Sequence, residues 1–337
     1  MNKYNLLDCT LRDGGYITNW SFDDAVIKDL ILSLTNSALD FVEVGYLNNK
    51  PYTPHTVQFN NIEQIADFLP LNRQKTSFLA MADVEQFSSK QITQFTGKSI
   101  DGIRVVFYKH QIEKAITLAK SIKECGYQLF IQPMVTIDYS IEEYSALSET
   151  IAQLNPTAVS IVDSFGYMLK SDFRKYYKIL DNILSDDTII GFHSHNNMNL
   201  AFLTGQDILE YQTSKKLVID SSLFGMGRGA GNLQTELIAN YYNMTFGNKY
   251  DVIKILDLIG KYIMPIKAKK NWGYSPYFFL TGLYKCHPNY VTYLLEEHDI
   301  SVSMFKEYLD QIPIEMYTKC RKPYVLDKYN EFLASLK

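Results

Sequence analysis

Short apolar, β-branched runs recur along the chain: LLDCTL (6–11), DFVEVGY (40–46), SFLAMAD (77–83), GIRVVF (102–107), QLFIQPM (128–134), AVSIVDS (158–164), IIGFHSH (189–195) and LVIDSSL (217–223). Each has the length of a strand buried on both faces. Between them lie segments with helical spacing. In 23–38 the residues Val26, Ile27, Leu30, Ile31 and Leu34 share one face. The segment 113–126 ends at Gly126, a helix stop, and 140–156 opens on Ser140 with Glu143 three residues on, a capping box. The segments 172–184 and 198–212 read the same way. Strict alternation over eight strand runs predicts a closed parallel (β/α)8 TIM barrel. The alternative, a doubly wound open sheet, lacks support because the first β–α turn, LRDGGY, is no GxGxxG cradle. Beyond about residue 235 the strand runs stop, and 271–298 is rich in aromatic residues. The expected division is a barrel over 1–240 and a helical C-terminal extension over 241–337 packed on it.

Composition narrows the function classes. A net charge of −4 with mixed signs argues against nucleic-acid binding. The N-terminal apolar run is too short for a signal-peptide core, and no stretch approaches a membrane span. Cys9, Cys125, Cys286 and Cys320 are scattered without a CxxC pair. The expectation is a cytoplasmic protein with reduced thiols, touching neither membrane nor nucleic acid.

Barrel enzymes carry their chemistry at the C-terminal ends of the strands. There the sequence places Arg12-Asp13, Glu43, Arg104, Gln132, Asp163, the HSHNN run 193–197 and the glycine loop 225–232. His193 and His195, at i and i+2 on a strand, project to one face. Closure makes strands 7, 8 and 1 neighbours, so Asp13, the histidine pair and Asn232 can converge. Two imidazoles, a carboxylate and an amide oxygen suit Mn2+ or Mg2+ better than Zn2+. Arg12 reads as a fixed cation for an enolate oxygen, or as the partner of Glu43 or Asp163 in an ion pair. Glu43 and Asp163 read as orienting or ion-pair groups. The glycine loop, including Gly227, offers either phosphate-binding N–H groups or a close backbone approach to the metal. His55, His110 and His298 read as ordinary surface or packing residues.

Three separated motifs, DCTLRDGG (8–15), GFHSHNN (191–197) and GMGRGAGNLQTE (225–236), supported by EVGY (43–46), resemble the DRE-TIM metallolyases, the group of HMG-CoA lyase and metal-dependent 4-hydroxy-2-oxoacid aldolases. The resemblance spans roughly the first 240 residues. It implies that Asp13, His193, His195 and Asn232 hold the metal and that Arg12 stabilises an enolate. The aldolase branch carries a histidine base where this chain has Tyr16. The lyase's loop cysteine is absent, and Arg228 occupies that region. Tyr274 matches an active-site tyrosine of the aldolase branch, and His287 is a further base candidate. Arg12, Tyr16 and Tyr274 are therefore the catalytic set. Glu43, Arg104, Gln132, Asp163 and Gly227 are the substrate-binding or supporting set. The expected reaction is metal-dependent cleavage or formation of a C–C bond in a 4-hydroxy-2-oxoacid through a pyruvate-type enolate. The expected partners are a small 2-oxoacid, an aldehyde, an aldehyde dehydrogenase that accepts it, and further copies of the chain. A Claisen-type acyl-CoA lyase or synthase is the alternative. A non-catalytic subunit and a metal hydrolase are more distant ones.

Overall fold

The computed structural model describes residues 3–336, so Met1, Asn2 and Lys337, at the ends of the segments read above, lie outside it. Eight parallel strands form the barrel: β1 (Tyr4–Asp8), β2 (Phe41–Leu47), β3 (Ser77–Asp83), β4 (Gly102–Phe107), β5 (Gln128–Pro133), β6 (Ala158–Asp163), β7 (Ile189–Ser194) and β8 (Leu217–Ser221). Each pairs with the next. The pairings Tyr4↔Leu217 through Asp8↔Ser221 and Leu7↔Phe41 close the ring. A two-residue strand, Gln58–Phe59, adds to the outside of β2. All eight strand runs of the sequence are present. The first is displaced: the chain leaves β1 at Asp8, and Thr10–Asp13 makes one helical turn instead of continuing the strand. Arg12 and Asp13 are thus presented from a turn lying over the barrel mouth.

Helices follow the strands as the spacing predicts, at Asp24–Asn36, Ile112–Glu124, Ile141–Ala152, Lys170–Ile183 and Ala201–Leu209. Ser140 accepts from Glu143 N and the Glu143 carboxylate accepts from Ser140 N, which completes the capping box. Gly126 follows the second helix at φ +88°, the left-handed conformation that ends it.

The barrel interior is layered because side chains two apart share a face. At the bottom Leu7, Phe41, Leu79, Phe130, Ala158, Ile189 and Val218 form an apolar plug. Two residues further along the same strands stand Glu43, Gln132, Ser160 and Asp220, all buried, with Arg104 of β4 beside them. The next layer is the mouth. Lost water on the lowest layer stabilises the barrel, while the charged layer needs internal partners.

The barrel's outer apolar core extends through Tyr242, Ile255, Ile263 and Trp272, on helices Thr235–Phe246 and Val252–Leu258 and the turns after them. A second core, from Cys286 to Phe332, joins helices Asn289–Glu297, Val302–Asp310 and Lys322–Ser335. Helix Pro276–Leu283 ties it to the mouth, where Asn197 Nδ2 donates to Thr281 Oγ1 at 2.9 Å. Among the described residues, no helix is long and apolar enough to cross a membrane.

Candidate active site

A cavity of ≈ 60 Å³ opens at the C-terminal end of the barrel. Its lining includes Arg12, Asp13, Tyr16, Tyr46, Asp83, Gln132, Ser164, His193, His195 and Arg228. Its floor is the charged layer. Arg12 donates from Nε to Glu43 Oε2 at 2.7 Å and lies 3.2 Å from Asp13 Oδ1 through Nη1. Arg104 meets the same Glu43 oxygen at 3.0 Å and also pairs with Asp220. Asp220 Oδ2 contacts His193 Nδ1 at 2.9 Å. The Gln132 amide oxygen accepts from Arg104 Nη2 at 2.7 Å and Ser160 Oγ at 2.6 Å. One continuous chain of charge thus runs from Asp13 to His193. Burial opposes charge on Arg12 and Arg104, but the facing carboxylates hold both guanidiniums firmly protonated. Burial likewise opposes charge on Asp13, yet Arg12, His195 and His193 hold its carboxyl well below the usual range.

Asp13, His193 and His195 offer ligand atoms that all lie within 4.8 Å of one another. Several features of this group fit a divalent cation. Asp220 fixes the Nδ1 side of the His193 ring, which leaves Nε2 facing Asp13 Oδ2 at 3.8 Å. Burial lowers His195 to about 3, with Asp13 opposing and His193, Arg228 and Arg12 reinforcing, so its ring is neutral and carries a lone pair. Asp13 Oδ2, His195 Nδ1 and Asn232 Oδ1 are buried without a hydrogen-bond partner. Such orphaned acceptors cost ~1–3 kcal/mol each unless something satisfies them. Asn232 is held beside this group by donating to Ser222 Oγ and Met226 O at 3.4 and 3.3 Å. A Cβ at Gly227 would overlap Asn232 Nδ2 and come within 3.3 Å of Asp13 Cγ, so this glycine permits the close approach. Cys9 donates to Ser221 O, and burial pushes its thiol up, so the centre has no thiolate.

Other expected residues are placed differently. Asp163 does not line the cavity. Val162 and Ser164 do, and strand alternation turns Asp163 the other way. Its carboxylate accepts from Tyr167 N and Met168 N at 3.1 Å and holds the loop after β6. Burial raises it to about 7. Tyr274 is 55% exposed, packs on Phe279 and lies outside the cavity. Tyr16 does line it, stacked edge-on against Trp20 with the Arg228 guanidinium 5.4 Å over its ring. Burial raises the Tyr16 phenol, with Arg228 and Arg12 opposing, so it stays protonated at neutral pH. His287 is buried beside Arg228.

Two cavity-floor or lining groups escaped the sequence reading. Asp220 was hidden inside an apolar strand run, although its place two residues beyond Val218 marks it as inward-facing. Asp83 ends β3 and lines the cavity as the one lining carboxylate besides Asp13. Burial raises its carboxyl, and Glu85 N donates to it at 2.7 Å. Its position at a strand's C-terminal end was the available signal.

The HMGL-like family model matches residues 3–259. The chain is 22% identical over 304 residues to an oxaloacetate decarboxylase of Mycobacterium tuberculosis, covering 88% of each. It is 25% identical over 266 residues to a 4-hydroxy-2-oxovalerate aldolase of Geobacillus genomosp. 3, covering 77% of each. Among solved structures it superposes on the N-terminal domain of a Bacteroides vulgatus protein assigned as an aldolase, with TM-score 0.74, 27% identity and coverage of 87% of this chain and 98% of that one. A Brucella melitensis HMG-CoA lyase shares the fold at TM-score 0.63 and 14% identity, covering 80% of this chain and 100% of that one.

Proposed function

The chain belongs to the HMGL-like family of carbon–carbon lyases, the DRE-TIM metallolyases, and from that premise we propose that it is a divalent-metal-dependent aldolase acting on a 4-hydroxy-2-oxoacid through a pyruvate-type enolate. Asp13, His193, His195 and the Asn232 oxygen would hold Mn2+ or Mg2+, hard cations that suit a donor set without thiolate. The cation, when bound, supplies Lewis acidity at the keto and carboxylate oxygens of the pyruvyl unit.

The observation that carries the reading is Arg12. Two of its nitrogens are committed to Glu43 and Asp13, and Nη2 is buried without a partner. The carboxylates keep the side chain charged, so it donates to a developing enolate oxygen without yielding its proton. Cleavage breaks the bond between carbons 3 and 4. The hydroxyl proton on carbon 4 leaves to a base, carbon 4 becomes the aldehyde carbonyl, and carbon 3 is protonated to give pyruvate. We assign the base to Asp83, which has no guanidinium partner and an upward-shifted carboxyl. Tyr16, kept as a neutral phenol, donates a hydrogen bond and orients the hydroxyl. The labile aldehyde is the reason to expect an aldehyde dehydrogenase partner, and the four free thiols accord with a cytoplasmic setting.

A second reading, decarboxylation of a 2-oxo diacid, shares the enolate and is favoured by the M. tuberculosis relative, which the chain matches over 88% of its length. The test is deuterium exchange at the pyruvate methyl group with and without Mn2+. Exchange that requires metal and is lost in Arg12→Ala is expected. Metal-loaded protein that exchanges nothing would overturn the enolate assignment.

A further inference from the structure

Arg228 stands at the mouth with no anionic partner. Among the described residues, no carboxylate lies within ion-pair distance of its guanidinium, and its Nε is buried and unpartnered. The guanidinium lies over the Tyr16 ring and meets His287. The His287 contact cannot be a satisfied hydrogen bond. His287 Nδ1 accepts from Asn289 N at 3.1 Å, so the neutral ring carries its proton on Nε2. Nε2 is the atom that faces Arg228 Nη1 at 3.3 Å. Two donors therefore face each other at 3.3 Å, and the guanidinium gains no acceptor from His287. Burial and the nearby guanidinium keep the His287 ring neutral, so it remains in this donor form. Its ring is fixed from the other side by Phe165, edge-on at 5.5 Å. The loop carrying Arg228 is held against the same region, where Gly229 packs on Pro288.

We propose that Arg228 and His287 form a subsite for a carboxylate on the aldehyde-derived half of the substrate, so that the substrate is a 4-hydroxy-2-oxo diacid and the second product an aldehyde acid. This rests on the aldolase reading above. A carboxylate facing the guanidinium from the cavity would satisfy the orphaned Nε–H through the Nε/Nη2 fork, while the neutral His287 behind Nη1 leaves the positive charge uncompensated until that anion binds. Arg228 shares the cavity lining with Asp13 and His195, and His287 stands directly behind it, so a small molecule at the metal centre reaches this pair through the Arg228 guanidinium. The same placement opposes decarboxylation, because a carboxylate held by a guanidinium is stabilised against leaving as carbon dioxide.

The test compares two two-carbon acceptors, glyoxylate with a carboxylate and acetaldehyde with a methyl group in its place, in addition to pyruvate with Mn2+ present. Wild type is expected to favour glyoxylate at least tenfold in kcat/KM. In Arg228→Gln that preference should collapse about 10- to 100-fold, mostly through KM, the range for losing a charge-assisted pair. Arg228→Lys should restore part of it. A wild type that prefers acetaldehyde, or an Arg228→Gln loss equal for both acceptors, overturns the subsite. A second readout needs no turnover. With Mg2+ bound and the pyruvyl position filled by oxalate, the Arg228 Nε–H resonance, assigned by its absence in Arg228→Lys, should shift saturably with glyoxylate and not with acetaldehyde. Pyruvate exchange without that shift refutes the subsite alone. The shift without pyruvate exchange supports the subsite and refutes the aldolase reading instead.

Discussion

Replacing Asp220 by Asn asks whether the buried charge layer serves the metal centre. Asp220 Oδ2 meets both Arg104 and His193 Nδ1, so one oxygen ties the layer to a proposed ligand. Asn keeps the size of the side chain and a carbonyl oxygen but removes the charge. Removing the carboxylate behind a ligating histidine lowers metal affinity ~10–100-fold, or about 1.4–2.8 kcal/mol. The fold should suffer less than the ~3–5 kcal/mol typical of a broken buried pair, because Arg104 keeps Glu43 at 3.0 Å and the Gln132 oxygen at 2.7 Å. A loss of about 2 kcal/mol is expected. Free Mn2+ measured by electron paramagnetic resonance during titration gives the affinity, and calorimetric unfolding in chelator gives the stability. The control is Asp163→Asn, also buried but turned to the loop after β6, which should leave Mn2+ affinity within about threefold. Asp220→Asn protein that melts lower yet binds Mn2+ as tightly as wild type would refute the argument and leave Asp220 a folding residue only.

Gly227→Ala should cost metal affinity with little loss of Tm in chelator, since the added Cβ overlaps Asn232 and crowds Asp13; Mn2+ titration beside calorimetry separates the two effects. Asp83→Asn should lower kcat ~10²-fold or more while pyruvate exchange persists, and the wild-type acid limb of kcat should lie above the ordinary aspartate value, because the base must be ionised and burial raises it. Glu236 is raised to about 7 by burial, so its stabilising contribution is full below its unfolded value near 4.5 and is lost as pH rises through about 7. Glu236→Gln, which keeps an acceptor for Phe224 N, should therefore match wild type at pH 4.5 and exceed it by up to ~3 kcal/mol at pH 8.5, read by denaturant unfolding at the two pH values.

The barrel was legible because its strands obey one rule: a run of apolar residues, then a polar residue where the strand ends. That rule located Arg12, Asp13, Glu43, Arg104, Gln132, His193, His195 and Asn232; the structure gathers Arg12, Asp13, His193, His195 and Asn232 at the mouth and sets Glu43, Arg104 and Gln132 in the layer beneath them. It failed where parity and local geometry decide. Asp163 sits at a strand end like Gln132, but one residue out of phase with the inward Val162, so it caps a loop. Asp220 is in phase but lies amid LVIDSSL, where a single acid inside an apolar run looks like an interruption. The run 6–11 read as strand throughout because its apolar pattern continues through Leu11, and a short apolar run does not distinguish a strand from the single helical turn that lifts Arg12 over the mouth.

The extension was harder still. Tyr274 and His287 are thirteen residues apart in sequence, and both read as candidate site residues. Which one meets a cavity residue depends on how helix Pro276–Leu283 seats against Asn197 and Met198, a contact between segments about eighty residues apart. Periodicity along one segment contains no information about that docking. Once it is seen, the pairing of Arg228 with His287 follows, and so does a physical reason for the changed glycine loop. A loop that carries a guanidinium toward the donor side of a neutral histidine leaves that charge uncompensated, which is the basis for proposing an anion there. A loop presenting a thiol at that place would serve different chemistry. In the proposed reaction the metal centre sets the reaction class, and the two residues supplied by loop and extension set which second half of the substrate the centre accepts.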